Sequence, residues 1–71
     1  LEAGHDGLDI IRRIVQESRP YLLPDATLLL EIGSEQGPAV LQILSAAGYD
    51  DCRIIKDYAQ LDRIAKARCK V

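Results

Sequence analysis

The stretch LLLEIGSEQG, residues 28 to 37, decides the fold. Residues 27 to 32 form an apolar run without polar alternation. Such a run reads as a strand covered on both faces, central in a parallel sheet with helices above and below. Gly33 ends it. Ser34 is placed to cap a following helix, and Pro38 suits a first turn, where its missing N–H is not needed. Val40, Leu41, Leu44 and Ala47 then recur at helical spacing until Gly48, which predicts a helix over residues 36 to 47 with that stripe buried.

Upstream, Leu8, Ile11, Ile14 and Val15 mark one face of a helix over residues 7 to 18. Asp6 is positioned to cap it, and Asp9 adds favourable negative charge to its first turn. Pro20 disfavours helical backbone at Arg19, so the helix ends near Ser18, and Pro24-Asp25 reads as a turn. Downstream, residues 52 to 56 and 63 to 69 read as strands. In the second of these, Ile64, Lys66, Arg68 and Lys70 share one face and Ala65, Ala67 and Cys69 the other. The connection over residues 57 to 62 is too short for a crossover helix, so the two strands form an antiparallel hairpin. Pairing Asp57 with Ile64 would also set Cys52 opposite Cys69. The order is helix, strand, helix, strand, strand: an α/β domain of 71 residues that nothing divides.

A chain this short supports only a small core. Its net charge of −2 gives no concentrated basic surface, so no direct nucleic-acid partner is expected. The longest uninterrupted apolar run of the central strand, residues 28 to 30, is far too short to span a bilayer, and no membrane partner is expected. Two cysteines are too few for a disulfide framework or a paired zinc site, which makes a reduced cytoplasmic location the default. The chain opens on Leu1 and contains no Met, so it is expected to be a piece of something longer.

The glycine corner invites a cofactor. An acid at the end of a strand followed by a turn, with Asp57 ending the next strand as a ribose-binding acid would, is similar to the first motif of class I methyltransferases. That motif is GxGxG, whose glycines let the backbone approach S-adenosylmethionine. Here Glu35 stands at the middle glycine, bringing bulk and negative charge, and the chain turns back directly after Asp57. A plain strand-to-helix corner is the better reading.

Taken in order, DGLDIIRRI, LLLEIG with QG three residues on, AAGY and KDYAQLDRIAKAR resemble the C-terminal part of the HemK/PrmC family of release factor glutamine methyltransferases. The resemblance covers nearly the whole chain. It implies the last third of a seven-stranded class I methyltransferase fold, Rossmann-like, with the fifth strand and the closing hairpin of the sixth and seventh. It also implies an enzyme that moves a methyl group from S-adenosylmethionine to the GGQ glutamine of peptide chain release factors. The family's GxGxG loop and its NPPY motif lie upstream of this region, and neither occurs here. Catalytic, cofactor-binding and metal residues are therefore expected to be absent, and this stretch alone is expected to be inactive and to bind no donor. In place of the glycine that the family usually shows before its DR pair, this chain has AQLDR, so no glycine supplies a tight turn at Gln60 and Leu61.

The remaining residues have modest roles in view. Glu31 and Asp57 lie near strand ends, where doubly wound folds place their crevice and Glu31 would line the rim in a full enzyme, but a capping or ion-pairing carboxylate is the better reading for both. His5 has no companion for a metal site or a triad. Lys66, Arg68 and Lys70, with Lys56 and Arg63 near them, form a stripe that would touch a release factor or ribosomal RNA, or else be a solvated face. Cys52 and Cys69 are expected as thiols. Without a neighbour on its far side, strand 27–32 leaves an apolar edge open, which favours self-association. The alternative to the methyltransferase reading is a free-standing, non-catalytic binding module.

Overall fold

The computed structural model describes residues 7–69. Helix α1, Leu8–Ser18, turns Leu8, Ile11 and Val15 inward, whereas Ile14, predicted on the buried face, is 42% exposed. The helix begins at Gly7 in left-handed conformation, and the predicted capping residue, Asp6, lies outside the described residues. A 3-10 turn, Arg19–Tyr21, carries Pro20 and follows the α-helix directly; the helix ends at Ser18 as expected, but Arg19 keeps helical backbone (φ −52°, ψ −46°) despite the proline after it. Asp25 then turns the chain with φ 68°.

The strands are β1, Thr27–Glu31, β2, Asp50–Lys56, and β3, Asp62–Arg68, and helix α2, Gly37–Ala46, connects β1 to β2. The sheet order is β1-β3-β2, with β3 antiparallel to both neighbours. Strands β1 and β2 therefore run parallel to each other, as a strand-helix-strand crossover requires, but the returning β3 lies between them. This corrects the expectation of a central first strand. Among the described residues β1 is an edge, covered on one face only: Leu30 is buried while Leu29, on the opposite face, is 60% exposed.

Both helices serve one core. Leu8, Ile11 and Val15 of α1 and Val40 and Leu44 of α2 join Leu30, Ile32, Tyr49, Ala65, Ala67 and Cys69 in a single apolar cluster. Alternate residues of a strand point to opposite faces, which is why Ala65, Ala67 and Cys69 are buried and Lys66 and Arg68 exposed, as read from the sequence. Their small size lets α2 lie close above the central strand. Leu44, Val15 and Val40 are almost completely buried. Truncating a leucine in such a place costs about 2–5 kcal/mol.

Two details of α2 depart from expectation. Ser34 does not cap it, because residues 33 to 36 form a turn that puts Gln36 at the cap position, without a side-chain capping bond. Proline sits in the first turn as predicted. At the other end Gly48 adopts φ 90°, its N–H donates to Ser45 O (3.0 Å), and Tyr49 N–H donates to Leu44 O (3.0 Å). These paired bonds close a helix end through a left-handed glycine.

Candidate functional site

Because β1 and β2 are parallel, their C-terminal ends share one rim of the sheet with the start of β3. Glu31, the corner at residues 33 to 36, the first turn of α2 and the hairpin turn at residues 57 to 61 all lie there. Ile32 N–H donates to Arg63 O (2.9 Å), tying the β1 exit to β3. The rim is where the sequence placed its candidate acids, but it does not bring them side by side. The strands of Glu31 and Asp57 are separated by β3, roughly 10 Å at ordinary strand spacing.

The glycine corner is closed on itself. Gln36 Oε1 accepts from Gly33 N–H (2.8 Å), and Gln36 N–H donates to Gly33 O (3.0 Å). Gly33 is not among the residues with positive φ, and a Cβ there would meet Gln36 side-chain atoms at 3.4–3.6 Å, an ordinary contact. The backbone donor that a cofactor loop would present is thus engaged by the chain's own glutamine. Gly37 is the demanding glycine: a Cβ there would overlap Asp62 Oδ2 and lie 3.2 Å from its Cγ and 3.6 Å from Ile54 Cγ1. The second glycine of the corner makes room for the start of β3. No signal local to residue 37 announces that contact, since Asp62 is remote in sequence.

Asp57 is consumed by the hairpin turn. Its Oδ1 accepts from Ala59 N–H (2.8 Å) and Leu61 N–H (3.0 Å), and its Oδ2 from Arg63 Nη2 (3.1 Å). The Leu61 amide, followed by the Arg63 guanidinium, holds the carboxyl below its usual range. Asp57 N–H donates to Leu61 O and Gln60 N–H to Asp57 O, with Gln60 at φ 66°. A tight turn therefore forms without the glycine, by placing a glutamine in the left-handed region. This turn also resets the register. Ile55, not Asp57, faces Ile64, and Cys52 is not opposite Cys69. Over Arg53 to Ile55 the shift is by two residues, which preserves facing, and irregularities between Asp50 and Arg53 and between Ile55 and Lys56 interrupt the ladder on either side.

The basic stripe is largely neutralised within the fold. Arg68 pairs with Asp50 (2.8 Å) and Asp25 (3.8 Å), Arg63 with Asp57, Lys56 with Asp62 (2.6 Å), and Arg53 with Asp51 (3.0 Å). The Asp50 hydrogen bond, reinforced by its charge, raises the Arg68 pKa further. Lys66 has no carboxylate partner among the described residues, and Lys70 lies outside them. The Cys52 thiol donates weakly to Tyr49 O (3.7 Å); desolvation first, then Asp50 and Asp51, raise its pKa, which disfavours the nucleophilic thiolate. Cys52 and Cys69 are not joined in a disulfide. His5 lies outside the described residues. Among the described residues no group of three His, Cys, Asp or Glu is placed to hold a metal, and no helix is long and apolar enough to cross a membrane.

One long-range contact had no sequence signal. Arg19 reaches the C-terminal end of α2, donates from Nη1 to Ala47 O, and lies over the Tyr49 ring at 5.1 Å. Its guanidinium is also what a Cβ at Gly48 would strike, at 2.9 Å from Nη1. The AAGY segment is thereby a packed helix end, not a ligand loop.

Gln36 and Asp57, one polar residue from each of the rim's two turns, are engaged within those turns, and the relatives of this sequence are methyltransferases. They are release factor glutamine methyltransferases: that of Thermodesulfovibrio yellowstonii is 38% identical over 64 residues, that of Pseudomonas aeruginosa 44% over 64, and that of Synechocystis sp. 38% over 69. These matches cover 90–96% of this chain but 23% of each relative. The chain is thus related to the release factor glutamine methyltransferases along nearly its whole length and spans about a quarter of theirs. No family model matches it.

Proposed function

We propose that this chain is the C-terminal part of a class I, S-adenosylmethionine-dependent methyltransferase that modifies the GGQ glutamine of peptide chain release factors in the cytoplasm. Its part in that enzyme is to complete the sheet. The observation that carries the reading is the run of matches to release factor glutamine methyltransferases over 90–96% of the chain. The fold is compatible with it: β1 would be the fifth strand of the parent sheet, and β2 and β3 the closing hairpin. Donor and acceptor would be gripped by a GxGxG loop and an NPPY motif outside this stretch. The corner at Gly33 is a structural turn, since Gln36 occupies its N–H and Glu35 stands where the backbone would need to approach a ligand.

Calorimetric titration of S-adenosylmethionine into the 71-residue chain tests this reading. The expected result is no binding heat. Micromolar binding would assign the donor site to this stretch and overturn the proposal. The reading frame upstream provides a second test: codons for GxGxG followed by NPPY support the methyltransferase, whereas a start codon beside Leu1 favours a free-standing module.

A further inference from the structure

The tip of the β2–β3 hairpin is uncharged. Tyr58, Ala59, Gln60 and Leu61 are four consecutive exposed residues without an ionisable carboxylate or amine, in a chain of which 28% is charged. Tyr58 is fully exposed and Leu61 is 45% exposed. The charges that flank them are spent inside the hairpin, Lys56 on Asp62 (2.6 Å) and Arg63 on Asp57 (3.1 Å). What the tip offers outward is a phenol ring, a leucine and a primary amide. Such a surface has no cation with which to displace counterions from a phosphate backbone, whereas protein–protein interfaces are rich in tyrosine anchors.

The turn holds this surface still. The Asp57 carboxylate accepts from Ala59 and Leu61 N–H, Gln60 N–H donates to Asp57 O, and Asp57 N–H donates to Leu61 O. Tyr58 is therefore presented on a backbone with little left to order on binding. Lys56, Asp57, Tyr58 and Gln60 line a hollow of about 550 Å³ beside the turn. The tip lies on the rim formed by the C-terminal ends of the parallel strands β1 and β2, the side on which open α/β sheets take their ligands. Strands joined upstream would extend the sheet from β1, and the hairpin turn stands at the opposite, closing end.

We propose that this hairpin turn is a docking element for the release factor in the parent methyltransferase, on whose identity the proposal rests, with Tyr58 as its anchor. An uncharged segment of the release factor packs across the Tyr58 ring and over Leu61, and the Gln60 amide hydrogen-bonds its peptide groups. Tyr58 does not touch the reacting atoms. It holds the protein substrate at the rim, so its effect falls on binding of the release factor and not on binding of the methyl donor.

Steady-state methylation of an intact release factor by the full-length parent enzyme tests the proposal, with KM measured separately for the release factor and for S-adenosylmethionine. Tyr58→Ala should raise the KM for the release factor about tenfold, as truncation of an interface anchor does, without moving the KM for S-adenosylmethionine or the melting temperature. Tyr58→Phe should keep the wild-type value, because the ring is retained. Tyr21→Ala removes a second exposed tyrosine, before β1 at the opposite rim, and should change neither constant. An unchanged KM for the release factor in Tyr58→Ala overturns the docking proposal and leaves the methyltransferase reading standing. A rise in the KM for S-adenosylmethionine instead also overturns it, since the tyrosine would then serve the donor. If the wild-type parent does not methylate a release factor, the methyltransferase reading falls and this proposal with it.

Discussion

Replacing Gly37 by alanine tests why the corner needs its second glycine. The added Cβ would overlap the Asp62 carboxylate and press on Ile54, and Asp62 is held in place by Lys56 at 2.6 Å. Overpacking of this kind costs about 1–3 kcal/mol, and alanine's helix preference returns at most about 1 kcal/mol. Gly37→Ala should therefore destabilise the chain by up to about 3 kcal/mol. Removing the obstacle with Asp62→Ala should reverse the sign, so that Gly37→Ala in that background is neutral or stabilising by up to about 1 kcal/mol. Loss of the ion pair with Lys56 is common to both Asp62→Ala proteins and so cancels from the coupling energy. Urea unfolding of the four proteins at one fixed concentration gives the coupling energy. Equal costs in the two backgrounds would refute the argument and leave Gly37 as an ordinary helix residue.

Gln60→Gly should stabilise the hairpin by about 0.5–1 kcal/mol, read from the same unfolding curves, because a left-handed backbone costs a residue with a β-carbon about 1–2 kcal/mol and glycine returns part of that as entropy. Asp57 should make stability acid-sensitive. Its folded pKa is lowered, so its contribution is complete above the unfolded value of about 3.9 and is lost as pH falls through the folded value below it. Asp57→Asn should therefore melt below the wild type at neutral pH, with the gap closing in acid. A gap that is constant with pH would show that the carboxylate's charge is not what braces the turn.

Periodicity made the elements legible: β3 keeps the faces that its spacing predicts and α2 buries Val40 and Leu44, but Leu41, read into the same stripe, is only half-buried, and Ile43 packs against the core instead. The sheet order was not legible in the same way. An apolar run such as Leu28 to Leu30 fits a central strand or an edge strand with one leucine turned to solvent, and only the pairing partner decides. At the rim, Asp57 was readable as a capping or ion-pairing carboxylate, and its oxygens do serve amides two and four residues on and the Arg63 guanidinium; that Gln60 completes the turn in left-handed conformation was not readable. The absence of GxGxG and NPPY, by contrast, is readable directly, since such motifs are local. Contacts like Arg19 on Ala47 join distant segments, and no window of sequence contains both partners.

Strand β3 lies between β1 and β2, which do not pair with each other. Among the described residues neither ladder can exist before β3 is made, because β1 and β2 both wait for the same late segment. Insertion of β3 creates both ladders together and makes cooperativity a matter of threading as much as of core size. Anything that delays its release from the ribosome, or a truncation within it, should leave both ladders unmade.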